Sequence, residues 1–279
     1  MKDQPQILPV EGSVIEGPGR YRRRLITLSR QALLASVLPI LTAVMALLAW
    51  ELLVQQSGIA HSILPPPSAI FDKLLDFLGL LLKHAVPTTY ETLVAFGISI
   101  PIGIVLAAIM IYSPPINRAL YANLVFFQLI PKIALAPMFI VWLGIGAESR
   151  VAFSIFISFF PILISTVTGL QAVDRDMLRL CKAVGASDWQ VLIHVRFPYS
   201  FPYIFAGMKV AVTLAIIGVV VGEFIASTEG LGYLILFASS RQQTDLGLAA
   251  ITVLCVVGLM FYALVVLSEM VIEKFYGSH

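Results

Sequence analysis

Residues 174–198 read DRDMLRLCKAVGASDWQVLIHVRFP, the longest charged interruption between two apolar spans in the second half of the chain. Val173, Met177, Leu180, Cys181 and Val184 recur at helical spacing on one face, with Arg175, Arg179 and Lys182 on the other, so the first half predicts an amphipathic helix. Gly185 ends it, because glycine enters the left-handed conformation that closes many helices without a Cβ penalty. Ser187-Asp188-Trp189-Gln190 has the S-x-x-Q spacing of a capping box with an acidic residue in the first turn. It predicts a second short helix through Val191, Leu192 and Ile193, stopped by Pro198. Trp189 has two readings, a knob for a partner's pocket or an anchor at lipid headgroups.

What flanks this hairpin sets the protein class. Of the 279 residues, 59% are hydrophobic and 12% charged, with mean hydropathy +0.93, whereas soluble domains are about 25% charged. The chain reads as an all-α, polytopic membrane protein. A net charge of +2 is too small for a polyanion-binding surface, and the basic residues cluster beside apolar spans, which excludes nucleic acid as a partner. Cys181 lies in the charged loop and Cys255 inside an apolar span, so neither a disulfide nor a metal-ligand spacing is present, and no cofactor is expected.

A spanning helix needs about 20 mostly apolar residues. Six segments qualify, at approximately 32–54, 90–112, 119–143, 151–170, 203–224 and 246–267. They define a transmembrane domain over 32–270, between an N-terminal tail, 1–31, and a C-terminal tail, 271–279. The tail carries Pro5, Pro9, Pro18 and the run from Arg20 to Arg24 without a small-residue cleavage site, so it reads as cytoplasmic and not as a signal peptide. With alternating loops, the side holding both termini and the hairpin carries twelve Lys and Arg, and the other side four, namely Lys73, Lys83, Arg150 and Arg241. The positive-inside rule then makes both termini and the hairpin cytoplasmic.

Between the first two spans, Pro65-Pro66-Pro67 favours an extended segment and Ser68 an N-cap. The following helix gathers Asp72, Asp76 and Lys83 on one side, which suits the outer membrane surface. Thr88 and Glu91 form a T-x-x-E capping box for the second span, a reading preferred to a proton-carrying Glu91. In the third segment Pro131 and Pro137 interrupt the apolar run around Lys132. Lys132 either lines a translocation path and meets an anionic solute, or marks a break in the span and snorkels or pairs within the bundle. Lys209 is placed to snorkel from the fifth span. Glu223 either gates the path or contacts a partner, or is a solvated carboxylate at the span end. Residues 227–245, STEGLGYLILFASSRQQTD, read as an outer loop rich in turn formers.

Gly185 followed after nine residues by Val195-Arg196-Phe197-Pro198 resembles the glycine-to-I-x-L-P half of the cytoplasmic "EAA loop" in permease subunits of binding-protein-dependent ATP-binding-cassette (ABC) importers. The family's Glu-Ala-Ala triplet would fall on Arg179, Leu180 and Cys181, so a basic residue stands where the pattern has an acidic one. LPPPSAIF at 64–71, PKIALAPMFIVWLGIG at 131–146, PYIFAGMKVAVTLAIIGVVVGEF at 202–224 and GLGYLI at 230–235 resemble the sulfonate/taurine/nitrate branch, and the likeness covers roughly 60–270. The resemblance implies a six-helix, type I importer permease in a bacterial inner membrane, usually a homodimer. Two copies of a cytoplasmic ABC ATPase bind its coupling helices, and an extracytoplasmic solute-binding protein delivers the solute. In that role Ala183, Gly185, Ala186, Ser187, Asp188 and Trp189 meet the ATPase, and Val195, Phe197 and Pro198 pack the hairpin on the bundle. Lys132 and Glu223 are the candidates for the path. A small polar or anionic solute of the sulfonate, taurine or nitrate kind is expected, with pyrimidine vitamin precursors and aromatic acids as further classes.

The chain has no G-x-x-x-x-G-K-[ST] phosphate loop, so ATP hydrolysis is expected in a separate subunit. An ion-coupled transporter without an ATPase is the alternative, and it would want ionisable residues deep in the spans, where only Lys132 is clear. His61, His84, His194 and His279 are scattered, which argues against an enzyme.

Overall fold

The structure, a computed structural model, describes residues 18–276; residues 1–17 and 277–279, parts of the two expected tails, lie outside the described residues. Eleven α-helices, a 3-10 turn and a π-turn make up the described secondary structure.

Helix α1 (Pro18–Ser57) belongs to a unit of its own, Met1–Gly58. It begins ahead of the expected first span, inside the expected tail, because Pro18 presets a helical φ and the arginine-rich segment after it is made largely of good helix formers. Its apolar part, Val37–Ser57, has mean hydropathy 2.2.

The second unit, Ile59–His279, starts with α2 (Pro67–Asp76) and α3 (Leu78–Tyr112). Helix α2 opens at Pro67 with Pro66 as its N-cap, two positions before the expected cap Ser68, and breaks at Phe77. Lys83 therefore lies on α3, not on the surface helix. Helix α3 runs straight through Thr88 and Glu91, so these two residues do not cap a helix start.

Next come α4 (Pro114–Leu129), the 3-10 turn Lys132–Leu135 and α5 (Ala136–Leu143). The expected span 119–143 is thus two helices and a break. Pro131 has no N–H and forces its predecessor out of the helical region, and Ile130 sits at φ −68°, ψ 131°. Pro137 is accommodated in the first turn of α5, where its missing donor costs nothing.

Then follow α6 (Ala147–Gln171), α7 (Arg175–Ala183), α8 (Asp188–Val191), the π-turn Leu192–Arg196, α9 (Phe197–Ala226), α10 (Leu231–Ser240) and α11 (Thr244–Tyr276). Among the described residues, five helical stretches are long and apolar enough to cross a membrane: Val37–Ser57, Leu78–Tyr112, Ala147–Gln171, Asp188–Ala226 and Thr244–Phe275. The stretch 227–245, read as a loop, holds α10: Leu231, Tyr233, Leu234 and Ile235 make a helix between its turn residues.

Helix α6 packs against α9 through a seam of small residues. A Cβ on Gly218 would lie 2.7 Å from Ser154 Cα, and one on Gly222 2.8 Å from Arg150 Cγ, so only glycine permits this approach of two apolar helices. Ser154 Oγ donates across the seam to the Ala215 carbonyl at 2.7 Å. Phe96, Ile162, Phe205, Val212 and Phe261 join α3, α6, α9 and α11 in one core. Lys209 Nζ meets Glu269 Oε2 on α11 at 2.5 Å.

Candidate functional site

The polar chemistry of the second unit collects at the two ends of its bundle. At one end is the 174–196 hairpin. The Asp174 carboxylate accepts from the Asp176 N–H and caps α7. Gly185, at φ +77°, closes that helix; its N–H donates to the Lys182 carbonyl and the Ala186 N–H to the Cys181 carbonyl, both at 3.0 Å, the pair of bonds that defines a Schellman stop. Ser187 and Gln190 form the expected capping box: Ser187 Oγ accepts from the Gln190 N–H, and Gln190 Oε1 from the Ser187 N–H at 2.9 Å.

Pro198 does not stop the second helix. The π-turn 192–196 carries α8 into α9, with Pro198 in the first turn of α9. A proline ring collides with the carbonyl four residues back, and one wide turn relieves that collision without ending the helix. Arg196, which the sequence did not single out, then fastens the hairpin: its Nη1 donates to the Leu170 carbonyl at 2.8 Å. That carbonyl lies in the last turn of α6, where a cation also meets the negative end of the helix dipole.

Val191 and Leu192 are buried against the bundle, and Phe197 packs at the edge of the cluster formed by Met110, Leu163, Val167 and Leu170. Val195 and Pro198 are half-buried beside it. Ala183, Gly185, Ser187, Asp188 and Trp189 face outward, and Ala186 is half-buried. The apolar face of α7 is left open, with Val184 74% and Leu180 59% exposed. A concavity of about 460 Å³ lies between α7 and α8, lined by Cys181, Val184, Gly185, Gln190 and His194. Trp189 borders an apolar groove of about 430 Å³ with Val105, Ile109, Tyr112 and Leu192.

At the opposite end, Arg150 holds Glu91 in a two-pronged pair, Nε to Oε2 at 2.8 Å and Nη2 to Oε1 at 2.5 Å, with the residues 5% and 3% exposed. Glu223 is 1% exposed. Its Oε1 accepts from the Thr88 hydroxyl and its Oε2 from the Gly232 N–H, both at 2.6 Å, and Thr88 Oγ1 accepts from the Leu231 N–H at 2.8 Å. These contacts correct three expectations. Glu91 is an ion-pair partner and not a cap, Arg150 is a buried residue of α6 and not a loop charge, and Glu223 is not a solvated span-end carboxylate. Each lies at the edge of an apolar window; Glu91 and Arg150 are joined across α3 and α6, and Glu223 is joined to α3 and α10.

Lys132 stands apart in the broken segment, with Nζ 4.4 Å from the centre of the Phe160 ring, a cation–π contact. Phe160 belongs to an aromatic row with Phe156 and Phe159, and Phe156 also meets Phe139. Among the described residues no hydrogen bond or ion pair joins Lys132 to Glu223.

Residues 99–274 match the family described as binding-protein-dependent transport system inner membrane component. The chain belongs to this family. It is an ABC importer permease, of a branch that includes the taurine transport system permease protein TauC of Escherichia coli, 28% identical over 84% of this chain and 86% of that protein. A probable ABC transporter permease protein of Haemophilus influenzae is 33% identical over 80% of this permease and 91% of its own length. The riboflavin transport system permease protein RibX of Chloroflexus aurantiacus is also 33% identical, over 93% and 97%. Among solved structures, the inward-facing MetNI methionine ABC transporter superposes with a TM-score of 0.62 at 16% identity, covering 71% of this permease and 98% of that chain. The fold is therefore that of a type I importer permease, a multi-pass membrane protein whose family works with an ATPase and a binding protein.

Proposed function

We propose that this permease is the subunit forming the translocation path of an ATP-driven importer, for a small polar or anionic solute handed over by an extracytoplasmic binding protein. ATP is hydrolysed in a separate subunit. The observation that carries this reading is the hairpin: a doubly capped projection with an open apolar face and an exposed tryptophan, continuous with a membrane-spanning helix. A partner that grips it moves α9 directly, which is the mechanical need of alternating access driven from outside the membrane. The excess of Lys and Arg on the side of the hairpin and both termini supports a cytoplasmic location for them, and in this reading two ATPase copies dock one hairpin each.

Two permease copies are the natural arrangement. Irregular backbone at membrane depth is tolerated where protein or a water-filled path covers it, and here the turn 132–135 and the end of α5 leave Ile133 58% and Trp142 66% exposed. Facing a second copy across the path, this break presents Lys132 to the solute. The aromatic row beside Lys132 also favours a second solute class, planar heterocycles, the class named in RibX and in the formylaminopyrimidine transport permease protein ThiX of Halalkalibacterium halodurans, which is 33% identical.

Uptake of radiolabelled taurine and of a labelled pyrimidine into proteoliposomes containing the permease, its ATPase and its binding protein tests both points. Transport should need ATP and vanish when the ATPase's phosphate-loop lysine is replaced, and Lys132→Met should slow taurine, whose sulfonate the lysine would meet, at least as much as the neutral heterocycle. Transport without an ATPase would favour the ion-coupled alternative, and an unaffected Lys132→Met variant would remove the lysine from the path.

A further inference from the structure

Residues Asp188–Ala226 form a single helical rod of 39 residues, roughly 58 Å long at 1.5 Å per residue. Both of its ends are pinned by side chains that sequence patterns do not connect. Arg196 ties the hairpin end to α6 through the Leu170 carbonyl. Glu223 ties the other end to α10 and α3.

The second tie has a specific chemical form. A helix leaves its first N–H groups without intrahelical partners, and α10 cannot cap itself, because its N-cap is Gly230, at φ +98°, with no side chain to offer. Its first two amides are satisfied from elsewhere: the Leu231 N–H by Thr88 of α3, and the Gly232 N–H by Glu223 of α9. A carboxylate at this position also meets the positive end of the α10 dipole. The fit leaves little room for a side chain here, since a Cβ on Gly232 would stand 2.9 Å from the Val220 carbonyl oxygen. His84 of α3 stacks on Tyr233 of α10 with ring centres 5.8 Å apart, a second fastening of the same helix.

The segment that α10 holds in place is Ser227–Gly230, with Thr228 and Glu229 exposed. Ser227, Thr228 and Glu229, together with Ile145, Ala147 and Ile225, line an open cavity of about 500 Å³ that reaches Arg150. The exposed rim of this cavity and the end of the rod are thus joined by one buried carboxylate.

We infer that Glu223 is the positioning residue that makes the 227–232 segment, α10 and the rod α8–α9 move as one body, so that a contact on the exposed rim is felt at the hairpin. The inference rests on the importer reading, which supplies the two partners at the two ends. Glu223 acts here through the helices it joins and does not touch the solute.

The test uses the permease reconstituted with its ATPase and solute-loaded binding protein, comparing wild type with Glu223→Ala, Glu223→Gln and Thr88→Val. Two quantities are read: hydrogen exchange at the Leu231 and Gly232 amides, and the ratio of binding-protein-stimulated to basal ATP hydrolysis. Glu223→Ala should speed exchange at Gly232 by about tenfold, the scale of a lost helix cap, and bring the stimulation ratio close to one. Thr88→Val, which keeps the side-chain volume, should do the same at Leu231 and lower the ratio. Glu223→Gln should keep both, because its carbonyl still accepts from Gly232 and its amide can donate to Thr88. Full stimulation in Glu223→Ala or Thr88→Val, or undisturbed exchange in both, overturns the inference, and so does a lost ratio in Glu223→Gln with the two amides still protected. A wild-type complex that shows no stimulation at all instead overturns the importer reading, and the relay with it.

Discussion

Glu91 and Arg150 are the clearest case of a residue-level feature that local patterns misassign. The T-x-x-E spacing ahead of an apolar run has the form of a helix start, and Lys83, His84 and Pro87 lower the apparent apolarity of the turns before it. The helix nevertheless begins at Leu78. The partner of Glu91 is supplied by α6, and no local signal links the two. Two buried, hydrogen-bonded ions stabilise little relative to apolar residues of the same volume, but removing one alone strands the other, at a cost of about 3–5 kcal/mol. Thermal stability in detergent should therefore fall sharply in Glu91→Ala and in Arg150→Ala, and recover most of the way in the double variant Glu91→Leu with Arg150→Met. Equal losses in all three would mean that the pair contributes through its own attraction and not through mutual neutralisation.

At the level of elements, the hairpin was legible because every signal in it is local. Gly185 closes one helix, Ser187 and Gln190 open the next, and the geometry of both is fixed within a few residues. What lay beyond the sequence was the continuation through Pro198, since a wide turn that spares the helix leaves no compositional trace, and the tie from Arg196 to α6, which depends on tertiary placement. The interruption of the third span was legible for the opposite reason: Pro131 and Pro137 act on their own neighbours. A Cβ added at Gly185 would meet no atom within 4 Å, so the whole penalty of Gly185→Val comes from its backbone angle, about 1–2 kcal/mol. The bundle should keep its melting midpoint while the hairpin frays, and ATPase recovered with the purified permease should drop about tenfold. A drop in the midpoint as large as that of Glu91→Ala would show that the hairpin is part of the core and not a projection from it.

For the whole molecule, hydropathy draws six spans, and five described helical stretches are long and apolar enough to cross a membrane, the segment 119–143 being broken at Pro131. Arg150 reads as a loop charge and Glu223, in one of its two readings, as a solvated carboxylate because each lies at the edge of an apolar window, but Arg150 is buried against Glu91 and Glu223 against Thr88 and Gly232. The result is a rod with a projecting hairpin at one end and a buried carboxylate clamp at the other, in the fold of an importer permease. The central claim is that the ATPase grips the hairpin and nothing at the other end. It is tested most directly by placing a photo-crosslinking amino acid at Ala186, and separately at Glu229, in the complex as isolated with its ATPase. The prediction is a permease–ATPase adduct from position 186 and none from 229; an adduct from 229, or none from 186 in a complex that still transports, would contradict it.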